Sequence, residues 1–148
     1  MFHLRLTYKP DDQHHGELAA IAEGQGFRGH GAAWFNRSVL EEFARELGLY
    51  PIPQGDRIVL RGGEGLGAEE SPVSVCLGLS ISAFGRLGSL RVDVELAHTA
   101  LASGLSDLPL RASLAFLTTY ADLEAFSRGV AAMLDHGGEA VLMGHDNG

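Results

Sequence analysis

Apolar and polar residues alternate with a period of two along much of the chain, the pattern of half-buried strands. At the start Phe2, Leu4, Leu6 and Tyr8 share one side and His3, Arg5, Thr7 and Lys9 the other. Pro10 to Gly16 is a turn-rich connection, and Glu17 to Glu23 reads as a second strand. The glycine-rich run Gly24 to Gly31 interrupts it, and Ala32 to Phe35 resumes an extended segment. Asp56 to Arg61 reads as a short strand, whereas Gly62 to Glu70 has little to bury and is expected to be a mobile loop. Val73, Val75, Leu77, Leu79 and Ile81 then oppose Ser74, Cys76, Gly78, Ser80 and Ser82. After the turn Gly85 to Gly88, Leu90, Val92, Val94 and Leu96 alternate with Ser89, Arg91, Asp93 and Glu95. The two runs predict an antiparallel hairpin with one apolar and one polar face. A second long loop, His98 to Pro109, leads into a strand over Leu110 to Leu117.

Two stretches switch to the helical period. Ser38-Val39-Leu40-Glu41 has the spacing of a capping box, and Val39, Leu40, Phe43 and Leu47 form one stripe. Gly48, Pro51 and Pro53 stop that helix. A second box, Thr119-Tyr120-Ala121-Asp122, opens a helix to about Asp135 with the stripe Leu123, Phe126, Val130, Met133 and Leu134. Glu139 to Met143 adds a short last strand, and the final five residues read as a frayed end. The order β-β-β-α-β-β-β-β-α lacks sustained β-α-β alternation, so a parallel sheet is not expected. The predicted architecture is an α+β fold, a single antiparallel sheet of six to seven strands with two amphipathic helices on one face. It forms one domain over residues 1–135, with a short C-terminal extension over 136–148. No internal repeat is evident.

Composition narrows the class. The chain has 148 residues and a formal charge of −8. A surface of that sign opposes nucleic acid, whose binding rests on Lys and Arg displacing counterions, and favours a basic protein partner. The lone cysteine, Cys76, has no partner for an internal disulfide. That points to a reducing compartment, and with no long apolar segment the expected location is cytoplasmic.

The run Gly26-Phe27-Arg28-Gly29 through Ala33-Trp34-Phe35, followed by Leu40-Glu41-Glu42-Phe43-Ala44-Arg45-Glu46-Leu47, resembles the WapI-type immunity proteins and related bacterial domains. Those carry a G-F-x-G segment, an aromatic strand and a helix of the L-E-E-F-A-x-x-L type. The later hairpin, the strand over Leu110 to Leu117 and the helix around Leu123-Glu124-Ala125-Phe126 fall in the same order. The resemblance implies a cytosolic, non-enzymatic protein that binds and neutralises a toxin domain. It implies no catalytic residue.

Candidate chemistry is sparse. Among seven histidines, His14 and His15 are adjacent and His30, His98, His136 and His145 are scattered, which does not give the close-spaced ligand pairs of a zinc site. The glycine runs lack the strand–glycine–helix order and the Lys-Ser/Thr of a phosphate loop. Cys76 has no identifiable base, and Trp34 and Phe35 read as core or hairpin partners. No metal, cofactor or catalytic residue is assigned. The partner-binding candidates are Arg91, Asp93 and Glu95 on the polar strand face, ranked first, and Glu41, Glu42 and Glu46 on the first helix. Alternatives are a small-ligand-binding protein or enzyme using the polar sheet face, and a structural homo-oligomer.

Overall fold

Alternation becomes pairing in the computed structural model, which describes residues 1–64, 74–98 and 110–145. Strands β1 (Phe2–Pro10), β2 (His15–Gly24) and β3 (Phe27–Asn36) form a meander, followed by helix α1 (Arg37–Leu47) and β4 (Arg57–Glu64). Strands β5 (Ser74–Phe84), β6 (Ser89–His98) and β7 (Leu110–Thr119) form another, followed by α2 (Tyr120–His136) and β8 (Glu139–Gly144). The strands make two antiparallel sheets of four, sheet A in the order β3-β2-β1-β8 and sheet B in the order β4-β5-β6-β7. The expected single sheet of six to seven strands is therefore wrong. Alternation states which residues share a face, not what that face packs on, and here the apolar faces of two sheets meet each other and the helices.

Small residues on β3 set that meeting. Its inward positions are Gly29, Gly31, Ala33 and Phe35, and along them β3 passes Ala112 of β7, Cys76 and Ala97 of β5 and β6, and Gly62 of β4. The strand thus crosses sheet B instead of running beside it. A side chain at Gly31 would strike the carbonyl oxygen of Cys76, and one at Gly62 would strike the Phe35 ring. Glycine is required at Gly31 by backbone approach, and at Gly62 the Phe35 ring and the Ala33 methyl occupy the space a side chain would take; neither marks a loop. The run Gly24 to Gly31 is accordingly no break: only Gln25 and Gly26 leave the ladder. Both have positive φ (53° and 81°), as a tight two-residue hairpin turn demands. Likewise β4 continues through Gly62 to Glu64, with a register shift between Gly62 and Gly63. The loop expectations for residues 65–70 and 99–109, the start of the hairpin at Val73 and the chain end at 146–148 lie outside the described residues.

The helices pack on each other, α1 also against β3 and β4, and α2 mainly on β8. Leu40, Phe43 and Leu47 from α1 and Leu123, Phe126, Val130, Met133 and Leu134 from α2 join one core with Leu4, Leu6, Leu79 and Val92. Val39, expected on the buried stripe, is 45% exposed. The Thr119 cap is present, its hydroxyl oxygen accepting the Asp122 N–H at 3.1 Å. The box at Ser38 is not: β3 runs straight into the helix through Asn36, and the Arg37 N–H donates to the His14 carbonyl at 2.7 Å. The β1–β2 turn thus supplies the acceptor that a capping side chain would. Residues 139–145 belong to the sheets, since β8 pairs with β1, Ala140 and Leu142 are buried, and His145 exchanges backbone bonds with Leu117. No helix among the described residues is long and apolar enough to cross a membrane.

The sheet orders disclose a repeat that the sequence conceals. The unit β-β-β-α-β occurs twice, and each unit contributes its last strand to the other's sheet, β4 beside β5 and β8 beside β1. Equivalent helices carry Leu40-Glu41-Glu42-Phe43-Ala44-Arg45 and Leu123-Glu124-Ala125-Phe126-Ser127-Arg128. They meet at equivalent positions, with the Ser127 hydroxyl donating to the Ala44 carbonyl at 2.7 Å.

Candidate functional site

Register assigns the outer face of sheet B residue by residue, because directly paired residues of antiparallel strands share a face. One row reads Arg61, Gly78, Glu95 and Ser113 across β4, β5, β6 and β7. The next reads Val59, Ser80, Asp93 and Ala115, and the third Arg57, Ser82, Arg91 and Leu117. Every outward position of β5 in these rows is glycine or serine, and its neighbours on both sides carry long or charged side chains. The result is an open trough of about 420 Å³ lined by Arg57, Val59, Arg61, Gly78, Ser80, Asp93, Glu95 and Ser113. Its walls stand two strand spacings apart, roughly 10 Å. One wall is basic and the other acidic.

Those charges are largely unspent within the chain. Among the described residues Arg57, Arg61 and Glu95 make no ion pair. Asp93 takes the Arg91 guanidinium at 3.0 to 3.1 Å, and that carboxylate raises the Arg91 pKa above its ordinary value. Of the expected strand triad, Asp93 and Glu95 therefore line the trough. Arg91, its guanidinium on Asp93, lines a separate concavity of about 340 Å³ that includes Phe2, Phe84, Phe116 and His145. Sequence reasoning missed Arg57 and Arg61. The signal was the alternation Arg57, Val59, Arg61, which needed β5 beside it to acquire meaning.

The helix triad is divided. Glu42 and Glu46 border a cleft of about 280 Å³ with Val39, Phe43 and Val59, so they flank the outer side of β4 and adjoin the basic wall. Arg45 binds Glu42 and holds its carboxyl below the usual carboxylate range. Glu41 faces elsewhere, accepting from Arg37 at 3.2 Å in the groove between the helices, where Arg37 also reaches the Leu134 carbonyl and Asp135.

Phe35 is buried, but Trp34 is 59% exposed on the outer face of sheet A, beside Glu17, and is not a core residue. Cys76 is buried. The rings of His30 and His98 approach to 5.7 Å between centroids, and no group of three or more His, Cys, Asp or Glu among the described residues could hold a metal. The Tyr8 hydroxyl is buried without a hydrogen-bond partner among the described residues, and burial raises its pKa. It lies against Gly16, away from the trough. No family model, curated protein or solved structure matches the chain.

Proposed function

We propose that this chain is a non-enzymatic binding protein of the immunity type, which holds and neutralises a toxin domain in the cytoplasm through the trough of sheet B. The observation that carries the reading is the Gly78-Ser80 floor between walls whose Arg57, Arg61 and Glu95 make no ion pair among the described residues. An open channel of this kind suits another polypeptide better than an enclosed pocket suits a small substrate. The formal charge of −8 draws a basic partner at long range and speeds the encounter. The resemblance to WapI-type immunity proteins points the same way, and its Leu40-Glu41-Glu42-Phe43 helix places Glu42 and Glu46 beside the basic wall.

The test is to co-express the chain with the toxin domain encoded in the neighbouring reading frame and to measure survival and copurification. Protection by the parent and its loss in Ser80→Arg, with the fold retained, is the expected result. Equal protection by Ser80→Arg would remove the trough from the reading, and absence of any protectable toxin would remove the immunity role. A second reading, small-ligand binding in the same trough, is favoured by its volume, within the range of roughly 300–1,000 Å³ typical of ligand sites. Stabilisation by a metabolite at millimolar concentration, abolished by Ser80→Arg, would put it ahead.

A further inference from the structure

We infer that the segment docking in the trough carries both signs of charge, acidic groups toward β4 and basic groups toward β6. This rests on the trough being the binding surface. Arg57 and Arg61 project from alternate outward positions of β4, four residues or roughly 13 Å apart, with exposed Val59 between them. Across the floor, Glu95 stands opposite Arg61 with Gly78 between, and Asp93 stands opposite Val59 with Ser80 between.

No side chain on β5 reaches up to neutralise either wall. Glu42 on the far side of β4 is already taken by Arg45. A purely basic segment would satisfy Glu95, Asp93 being already bound by Arg91, but would set cations against Arg57 and Arg61, which have no carboxylate partner among the described residues. A purely acidic one would leave those arginines content and confront the β6 carboxylates and the negative field of the whole chain. Like charges brought together in a contact are unfavourable and reject such partners. Only a segment with carboxylates on one flank and Lys or Arg on the other fills both walls. Guanidinium groups receive carboxylates bidentately, so the β4 side selects Asp or Glu with defined geometry. The long-range preference for a basic partner and the local demand for its acidic groups are compatible, because the first acts on net charge and the second on contact.

The experiment pans a phage-displayed library of random 16-residue segments on the full chain, then measures synthetic versions of the enriched segments against variants. Expected are segments bearing both acidic and basic residues, weakened at least tenfold by Arg57→Glu with Arg61→Glu and by Asp93→Lys with Glu95→Lys, and abolished by Ser80→Arg. Exchanging a segment's acids for lysine should restore binding to the Arg57→Glu, Arg61→Glu variant, which also shows that variant to be folded. Segments of one sign only, or binding lost in Ser80→Arg yet indifferent to the arginine reversal, would overturn the inference and leave the trough as the binding surface. Failure to enrich any segment, or undiminished binding to Ser80→Arg, would overturn both.

Discussion

β1 in sheet A occupies the place that β5 occupies in sheet B, between the second strand of its own meander and the last strand of the other repeat. It presents His3, Arg5, Thr7 and Lys9 outward where β5 presents Gly78, Ser80 and Ser82. The consequences diverge. On sheet A, Glu23 takes His3 at 2.9 Å and Arg28 at 3.6 Å from the two strands beside it, and Arg5 meets Glu139 at 3.3 Å. Charge is spent between adjacent strands. On sheet B a low strand separates the charged strands, so Arg61 and Glu95 share a row without meeting. Exposed ion pairs are worth about 0–1 kcal/mol, so the difference concerns stability little and availability a great deal. One scaffold, used twice, has one face closed on itself and one left open as a trough, and the change is concentrated in the outward residues of one strand.

The equivalence of the two repeats is broken or sharpened first in the core, where effects are largest. Phe43 and Phe126 occupy matched helix positions and are 3% and 1% exposed. Each substitution by alanine removes a buried ring and should cost about 3–5 kcal/mol. Urea denaturation of the two variants measures this directly. Matched costs support a shared core between the repeats, and a loss under about 1 kcal/mol for either would show that its half does not depend on the common core.

Strand and helix succession was legible because hydrophobic period is a local property, and all five residues of the α2 stripe are buried as read. Sheet partition was not, because Leu79 and Leu6 would alternate identically in one sheet or two. Gly31 and Gly62 resembled loop residues because a glycine's meaning lies across the gap, in the Cys76 carbonyl and the Phe35 ring. The repeat was hidden because its halves retain little beyond a helix motif and differ in connection length. At the site, Asp93 and Glu95 were readable from β6 alone, but a trough belongs to all four strands of sheet B. The arginines of β4, which make no ion pair among the described residues, became visible as a wall only when register set them beside Ser82 and Gly78.

The outer faces offer the next comparison, with small effects on stability and opposite effects on binding. Ser80→Arg gives β5 the profile of β1, and Arg5→Ser gives β1 the profile of β5. Both side chains project from outer sheet faces, Arg5 exposed and Ser80 half-buried with open space above it, so urea midpoints should place each within about 1 kcal/mol of the parent, near the range that holds for surface changes. Copurification with the toxin domain should fail for Ser80→Arg and persist for Arg5→Ser. Loss of binding in both would mean that sheet A also contributes to the interface, and loss in neither would undo the contrast between the faces.

The first turns of the two meanders provide the smallest and most specific test. In the β1–β2 turn the Asp12 carboxylate accepts the backbone N–H groups of His14 and His15 at 2.7 and 2.8 Å. Those two bonds, then the His15 ring, hold the Asp12 pKa below its ordinary value. The β5–β6 turn has no such titratable brace. It relies on positive φ at Gly85 and Gly88, and the Gln54 amide donates to the Gly85 carbonyl at 2.9 Å. A carboxyl whose pKa is depressed in the folded state stabilises it above the unfolded-state pKa, about 3.9 for Asp. That contribution declines as pH falls through the unfolded value and is gone below the depressed folded one. Asp12→Asn keeps an oxygen acceptor without a charge, so it should remove this share of the acid sensitivity and leave the β5–β6 turn untouched. Urea midpoints at pH 6 and pH 3 provide the measure, with the parent expected to lose more stability between them than Asp12→Asn. Because Asp12 is fully exposed the gap should be slight, and identical losses in the two proteins would show that the turn is braced without its charge.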